Sequence, residues 1–378
     1  MIKQKICIVG NGLTGLATAF VLKNLNLEIH LIGKFKKKKD THDNRTTAIS
    51  HNNYKFLINF IKDKKELTSF WPIKKINLFH EEISGYKNFL NFENNGQDLM
   101  HIIQNNKLKQ ILLEKIKKNK NVKIINTEIT KIDEKNSSVF YRNKKVFYDL
   151  ILLCAGSKSA LVRKLLGKRT VINDTNEIAF ITIVKHKLGI VQAKQFFLNE
   201  GPLAILPFQK NKFSIVWSIN KEHSLDKVKF LLKEKLNKIL KIKNGLIFSK
   251  VDFFPVSFKL NVNFINRNTL VLGEGSYNIH PFAGQGFNLI LRDIRELYNN
   301  LDQYLSIGIQ IKDSLLLKHF SSSRKPENLL FGLGLSFIHK FFKNNKISNP
   351  IRRVILKDIN KFKTLKDISL SFADKGIF

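Results

Sequence analysis

Apolar positions fall in short blocks along this chain, and their period changes from block to block. "KICIVG" near the start is almost continuously apolar, as a strand buried on both faces is. "NGLTG" then supplies a tight turn, "LATAFVLKNLN" has helical spacing, and "LEIHLIG" is a second buried strand. Strand, glycine turn, helix and strand make a βαβ opening. "SHNNYKFLINFIKD" and "LKQILLEKIKKN" repeat their apolar residues with the helical period. "WPIKKINLFH" and "KNFLNFEN" read as strands of a different sheet, and "VKIINTEITKID" alternates like a strand. "SVFYRNKKVFYDLILLCAG" reads as a hairpin arm running into a buried strand.

From about residue 171 to 262 strand alternation dominates, in "NEIAFITIVKH", "GPLAILPFQKN" and "KFSIVWSIN", around one helical stretch, "SLDKVKFLLKEKLNKIL". A buried strand, "TLVLG", follows, and residues from about 300 onward are mostly helical in pattern. The pattern predicts an α/β protein: a discontinuous Rossmann-like nucleotide-binding domain, an inserted sheet-rich domain and a helical C-terminal region. The expected segments are 1–70, 100–170 and 263–300 for the nucleotide-binding domain and 71–99 and 171–262 for the insert. Residues 301–378 form the C-terminal region.

Composition changes this picture little. A content of 43% hydrophobic and 25% charged residues is that of a globular chain. The 65 Lys and Arg against 30 Asp and Glu give a net charge of +35, spread along the whole sequence. No zinc-finger, RNA-recognition or basic-heptad pattern accompanies it, which argues against nucleic acid as partner. Cys7 and Cys154 both lie in apolar strands, which predicts buried thiols in a reducing compartment. The first strand begins within a few residues of Met1, and no apolar run reaches the length of a membrane span. The expected location is therefore cytoplasmic, with at most a peripheral attachment to a membrane face.

Three glycine-rich turns carry the candidate chemistry. Gly10-Asn11-Gly12-Leu13-Thr14-Gly15 lies between strand and helix. In a dinucleotide fold its first glycine makes the turn, the second admits a pyrophosphate and the third lets helix and strand pack. The usual acid at the end of the second strand is missing: Gly33 and Lys34 stand there, and Glu28 comes too early. "DLILLCAGSKS" ends a buried strand on a small-residue turn at Ala155-Gly156. "GEGSYNIHPFAGQGFNL", residues 273–289, joins a strand to a helix and places backbone N–H groups at a helix start.

"HPFAGQGFNLILRD" is close to the flavin-binding loop of the ubiquinone-biosynthesis hydroxylases. Together with "DNRTTAIS", "GPLAILPF", "SIVWS" and the terminal "LKDISLSFADKG", it makes the chain resemble the FAD-dependent class A aromatic hydroxylases, 2-polyprenylphenol hydroxylase type. The resemblance implies FAD as cofactor, held by Gly10, Gly12, Leu13, Thr14, Gly15, Arg45, Gly156, Gly273, Glu274, Gly284, Gly286, Phe287 and Asn288. It implies Pro281, Gly284, Gln285, Gly286 and Arg45 beside the reacting ring, and no metal. The implied reaction is hydroxylation of a polyprenylated phenol with oxygen through a flavin hydroperoxide. The expected electron donor is NAD(P)H or, on account of Ala155 and the basic stretch Lys34 to Lys39, a ferredoxin-type carrier.

The sequence departs from this family at Gly33, at Ala155 where Asp is usual, and at Glu274 where Asp is usual. Two other functions stay open on that account. One is a flavin monooxygenase of another aromatic compound, and the other is a flavoprotein-like scaffold of a biosynthetic complex. "NLLFGLGLSFIHKFF", residues 328–342, is apolar with Lys340 and Lys343 beside it, and fits either a packed helix or a membrane surface. His280 reads as a hydrogen-bonded loop residue and not as a base.

Overall fold

A computed structural model describes residues 3–35, 43–167, 170–189, 191–222, 224–242, 244–261, 263–278 and 284–343, together with 370–372, 374 and 376. β1 (Gln4–Val9), α1 (Leu13–Leu22) and β2 (Leu27–Gly33) form the opening unit. β3 (Thr46–Ser50), α2 (His51–Ile61) and the single turn α3 (Lys64–Leu67) lead to β4 (Trp71–Ile73), β5 (Lys75–Glu82), β6 (Gly85–Glu93) and β7 (Met100–Gln104). α4 (Asn105–Lys117), β8 (Val122–Asn126), β9 (Lys131–Asp133), β10 (Ser138–Tyr141), β11 (Lys144–Phe147), β12 (Leu150–Leu153) and α5 (Ala160–Leu166) follow. The chain continues with β13 (Thr170–Lys185), β14 (Ala193–Leu198), β15 (Gly201–Gln209), β16 (Lys212–Asn220), α6 (Leu225–Leu240), β17 (Ile247–Phe248) and β18 (Asp252–Asn261). β19 (Ile265–Asn266), β20 (Thr269–Val271), β21 (Tyr277–Asn278), α7 (Gly286–Ser306) and α8 (Ser314–Lys343) complete the described elements.

The first sheet has the order β19-β20-β12-β1-β2-β8 and is parallel apart from its β19 edge. Its central strands are buried on both faces, which is why "ICIV" and "LILL" show no alternation. α1 packs on it with α7 against α1, and Cys7 and Cys154 are both free and buried there. Burial pushes both thiols up, that of Cys154 to about 12, so they act as small core residues.

The second sheet runs β21-β18-β13-β16-β15-β14-β5-β6, with β17 attached to β13. One face packs Phe180, Phe213, Ile215 and Trp217 against Val228, Leu232 and Leu236 of α6. Two expected strands are divided. "WPIKKINLFH" breaks at Lys74: β4 joins a small sheet, β3-β7-β4, and β5 enters the large one. "VKIINTEITKID" separates into β8 in the first sheet and β9 in a hairpin sheet with β10 and β11. At the first break the apolar phase slips by one residue, from Trp71 and Ile73 to Ile76 and Leu78, and at the second the apolar spacing widens to Ile125, Ile129 and Ile132, so each break interrupts the strict alternation.

In the small sheet His101 is buried, stacks on Tyr54 at 3.6 Å between ring centres and lies 3.2 Å from Asp98. Burial lowers its pKa to about 4, with Asp98 acting in the opposite direction. An unfolded histidine takes up its proton near pH 6.5, before the folded one does. Stability is therefore expected to fall as pH drops from about 6.5 to about 4, with a slope of roughly 1.4 kcal/mol per pH unit from this group. Urea titrations at pH 7, 6 and 5 measure it, and His101→Phe should flatten the profile in that window.

Candidate functional site

The glycines of the first turn are there for different reasons. Gly10 has φ +118°, and a Cβ on it would lie 2.7 Å from the Cys154 carbonyl oxygen. A Cβ on Gly15 would overlap the Gly10 carbonyl, so that glycine sets the approach of α1 to β1. Gly12 is extended, and a Cβ there would meet nothing within 4 Å. Open space thus stands in front of the start of α1, where Leu13 and Thr14 are the first helical residues and no side chain caps the helix.

The other turns close on this point. Gly273, at φ +79°, abuts Thr14: a Cβ on it would sit 2.7 Å from the Thr14 hydroxyl oxygen. The Glu274 carboxylate approaches Gly156, 3.7 Å from where its Cβ would be. Arg45 donates from Nε and Nη2 to the Asp43 carboxylate at 2.8 and 2.9 Å and lies over the Phe254 ring at 4.7 Å. The Asp43 hydrogen bonds hold the Arg45 pKa above its usual value, and the charges of Glu274 and Asp252 add to this. Arg45 is thus committed to Asp43, within the field of Glu274.

At the start of α7, Gly284 has φ +65°, and a Cβ on it would come 3.0 Å from the Ala48 Cβ. Gln285 is buried at the N-cap without capping the helix through its side chain, and Gly286 opens the helix. Phe287 packs against the main core. Asn288 is held by the protein on all sides of its amide: Nδ2 donates to the Ala48 carbonyl (3.0 Å), and Oδ1 accepts from the Ser50 N–H (2.8 Å) and Asn53 Nδ2 (3.2 Å). Its side chain therefore positions the helix start. Pro281 and His280 lie outside the described residues.

Two features were not read from the sequence. The first explains Gly33. A Cβ there would fall 3.0 Å from the Asn11 Cβ, and Asn11 Nδ2 donates to the Lys34 carbonyl at 2.6 Å. Asn11 thus takes the space that a side chain at position 33 needs. Glu28 is too early as expected, tied to Lys5 at 3.3 Å and to His30 at 2.8 Å. The second is a closure of the third loop: Tyr277, just past Gly273-Glu274-Gly275, donates its hydroxyl to buried Asp293 of α7 at 2.5 Å.

The site thus joins three loops at the C-terminal edge of a parallel sheet and leaves two helix starts uncapped by side chains. The profile of the pyridine nucleotide-disulphide oxidoreductase family matches residues 4–195. The chain belongs to that family. Ubiquinone biosynthesis monooxygenase COQ6, mitochondrial, of Dictyostelium discoideum is 25% identical over 96% of this chain and 89% of that relative. Ubiquinone hydroxylase UbiM of Neisseria meningitidis is 23% identical over 96% of this chain and 83% of its own length. The p-nitrophenol 4-monooxygenase PnpA of Pseudomonas putida superposes with a TM-score of 0.79 at 15% identity, covering 97% of this chain and 96% of that one. Klebsiella pneumoniae HpxO, solved with FAD and uric acid, gives 0.75 at 14% identity over 99% of this chain and 97% of the other. The fold is that of the FAD-dependent monooxygenases.

Proposed function

We propose that this chain is an FAD-dependent monooxygenase that hydroxylates the aromatic ring of a polyprenylated phenol in ubiquinone biosynthesis. The convergence of the Gly12 turn, Gly156 and Gly273-Glu274 on one edge of the first sheet carries the reading. The open space at Gly12, beside an uncapped helix start, suits a pyrophosphate. The Glu274 carboxylate approaches Gly156, and Arg45 lies within its field. Bound FAD supplies the oxygen-activating chemistry.

The protein supplies the rest. Backbone N–H groups at the start of α7 favour negative charge beside them. The sheet face carrying Ala179, Ile181, Val216 and Phe254 is apolar, with Phe254 under Arg45, and suits an aromatic ring kept from water. The test is the purified protein itself. It should be yellow, and with a reductant and ¹⁸O₂ it should place one labelled oxygen on a polyprenylphenol ring. A colourless protein that takes up no FAD would favour the scaffold reading, and turnover of unprenylated phenols alone would favour another aromatic substrate.

The electron donor is proposed to be an acidic ferredoxin-type carrier in preference to NADPH. The net charge of +35 favours encounter with such a protein, and Lys34 replaces the acid at the end of β2. Anaerobic stopped-flow reduction should be faster with ferredoxin than with NADPH, and that advantage should shrink as salt screens the charges. Fast, salt-independent bleaching by NADPH would count against it.

The substrate tail and the helix α8 suggest a second partner, an anionic membrane surface. No helix among the described residues is long and apolar enough to cross a membrane. Leu329, Leu333 and Phe337 nevertheless repeat every four residues on one exposed face of α8, with Phe337 70% exposed and Lys340 on the same side. The double variant Leu333→Asp, Phe337→Asp should bind anionic vesicles about tenfold more weakly in co-sedimentation, since burial of even one such side chain is worth more than that factor. Equal binding would remove the helix from the proposal.

A further inference from the structure

Near the chain's end, Asp374 is joined to the start of α2. Its Oδ1 accepts from the Asn52 N–H at 2.7 Å, and its backbone carbonyl accepts from the Ser50 hydroxyl at 3.2 Å. Ser50 is the N-cap of α2 but makes no side-chain cap of its own, so the carboxylate of a distant segment does that work.

The same segment is anchored on α7 and α8. Arg292 donates to the Phe372 carbonyl at 3.2 Å and to Glu327 at 3.3 Å. Phe372 stacks on Phe331 with ring centres 4.9 Å apart. Gly376 has φ +99°, and a Cβ on it would overlap the Glu327 carboxylate, so the chain passes hard against the buried ion pair.

What Asp374 holds leads directly to the start of α7. Ser50 and Asn53, on either side of Asn52, are the groups that grip Asn288: the Ser50 N–H and the Asn53 amide both donate to it. Arg295 of α7 donates back to the Asn52 carbonyl at 2.9 Å. Asn288 in turn donates to the Ala48 carbonyl, and Gly284 rests against the Ala48 side chain. Each link is a hydrogen bond or a van der Waals contact, and none passes through a long flexible side chain on the surface.

We propose that Asp374 is a positioning residue for the flavin: the C-terminal segment fixes the start of α2, and through Ser50, Asn53 and Asn288 it fixes the Gly284–Asn288 turn. This rests on the reading that FAD binds against the start of α7. The segment is thus part of the cofactor site without touching the cofactor.

The experiment uses the full-length protein with added FAD and compares wild type with Asp374→Ala, Asp374→Asn and Asp374→Glu. Flavin fluorescence titration gives the Kd, visible-region circular dichroism reports the asymmetry around the bound ring, and a thermal melt of the FAD-free protein reports the fold. Asp374→Ala should raise the Kd by about tenfold, a loss in the range of one helix cap, and should change the visible dichroism. Asp374→Asn, which keeps the volume and an acceptor, should lie between, and Asp374→Glu should return toward wild type. A lowered melting point with wild-type Kd and dichroism in Asp374→Ala and Asp374→Asn would overturn the proposal, because that is what a purely structural clasp gives. If the wild type takes up no FAD at all, the reading beneath falls and this proposal with it. If the wild type binds FAD and the variants bind it equally well, this proposal alone fails.

Discussion

Gly12→Val is expected to give a folded, colourless protein. In most glycine turns a valine costs stability, because the backbone is left-handed or a neighbour is in the way. Neither holds at Gly12: its backbone is extended with φ −69° and ψ 179°, and a Cβ meets nothing within 4 Å. The chain by itself therefore gives no reason for glycine there, and the reason must lie in what enters the space. A branched side chain would occupy the approach of a pyrophosphate to the N–H groups of Leu13 and Thr14. The loss should reach about 100-fold or more in FAD affinity, the equivalent of roughly 3 kcal/mol. Far-ultraviolet dichroism and the melting point of the FAD-free protein should stay at wild-type values. Gly15→Val is the contrast: its Cβ would overlap the Gly10 carbonyl, so that variant should fail to fold and accumulate as insoluble protein. A yellow Gly12→Val protein with wild-type FAD content would remove the first turn from the cofactor site.

The pair also shows how far the sequence alone reaches. The order of Gly10, Gly12 and Gly15 in the motif sufficed to place them between a strand and a helix and to give each a separate duty. The atoms that enforce those duties appear only when β12 is set beside β1, because the wall behind Gly10 is Cys154, far away in the chain. The missing acid at position 33 was visible, but its explanation in Asn11 was not, since two residues 22 positions apart gave no sign of touching. Sheets buried on both faces announced themselves as continuous apolar runs. The division of residues 71–80 between two sheets was marked only by a one-residue slip of the apolar phase at Lys74-Lys75, where the hydrogen-bonding partner changes. Polar clasps were the least legible class. Asn288 reads as a flavin ligand by its place in a motif, and that place gave no sign that its amide binds Ala48, Ser50 and Asn53.

Asp293→Ala should be among the most destabilising single substitutions in the described chain. Asp293 is 2% exposed and accepts three hydrogen bonds, from Tyr277 Oη at 2.5 Å, Arg324 Nε at 2.7 Å and Asn328 Nδ2 at 3.2 Å. Arg324 is equally buried and is also paired with Glu327. Removing the Asp293 carboxylate leaves a buried guanidinium short of charge and a buried hydroxyl short of its acceptor. Breaking one side of such a pair costs about 3–5 kcal/mol. Burial, with the charge of Asp293, keeps the Tyr277 pKa well above its usual value, so the phenol remains a donor at any working pH. The effect should not stop at stability. Tyr277 follows the turn that carries Glu274, and Asp293 lies on the helix that begins at Gly286, so their bond ties the two ends of the third loop together. Tyr277→Phe removes that bond alone and should cost about 1 kcal/mol in stability. Urea midpoints of the FAD-free proteins separate the two cases, and FAD titration of each shows whether the loop has loosened. A midpoint for Asp293→Ala as mild as that of Tyr277→Phe would mean that Arg324 is satisfied by Glu327 alone, and the three-way clasp would lose its place in the account.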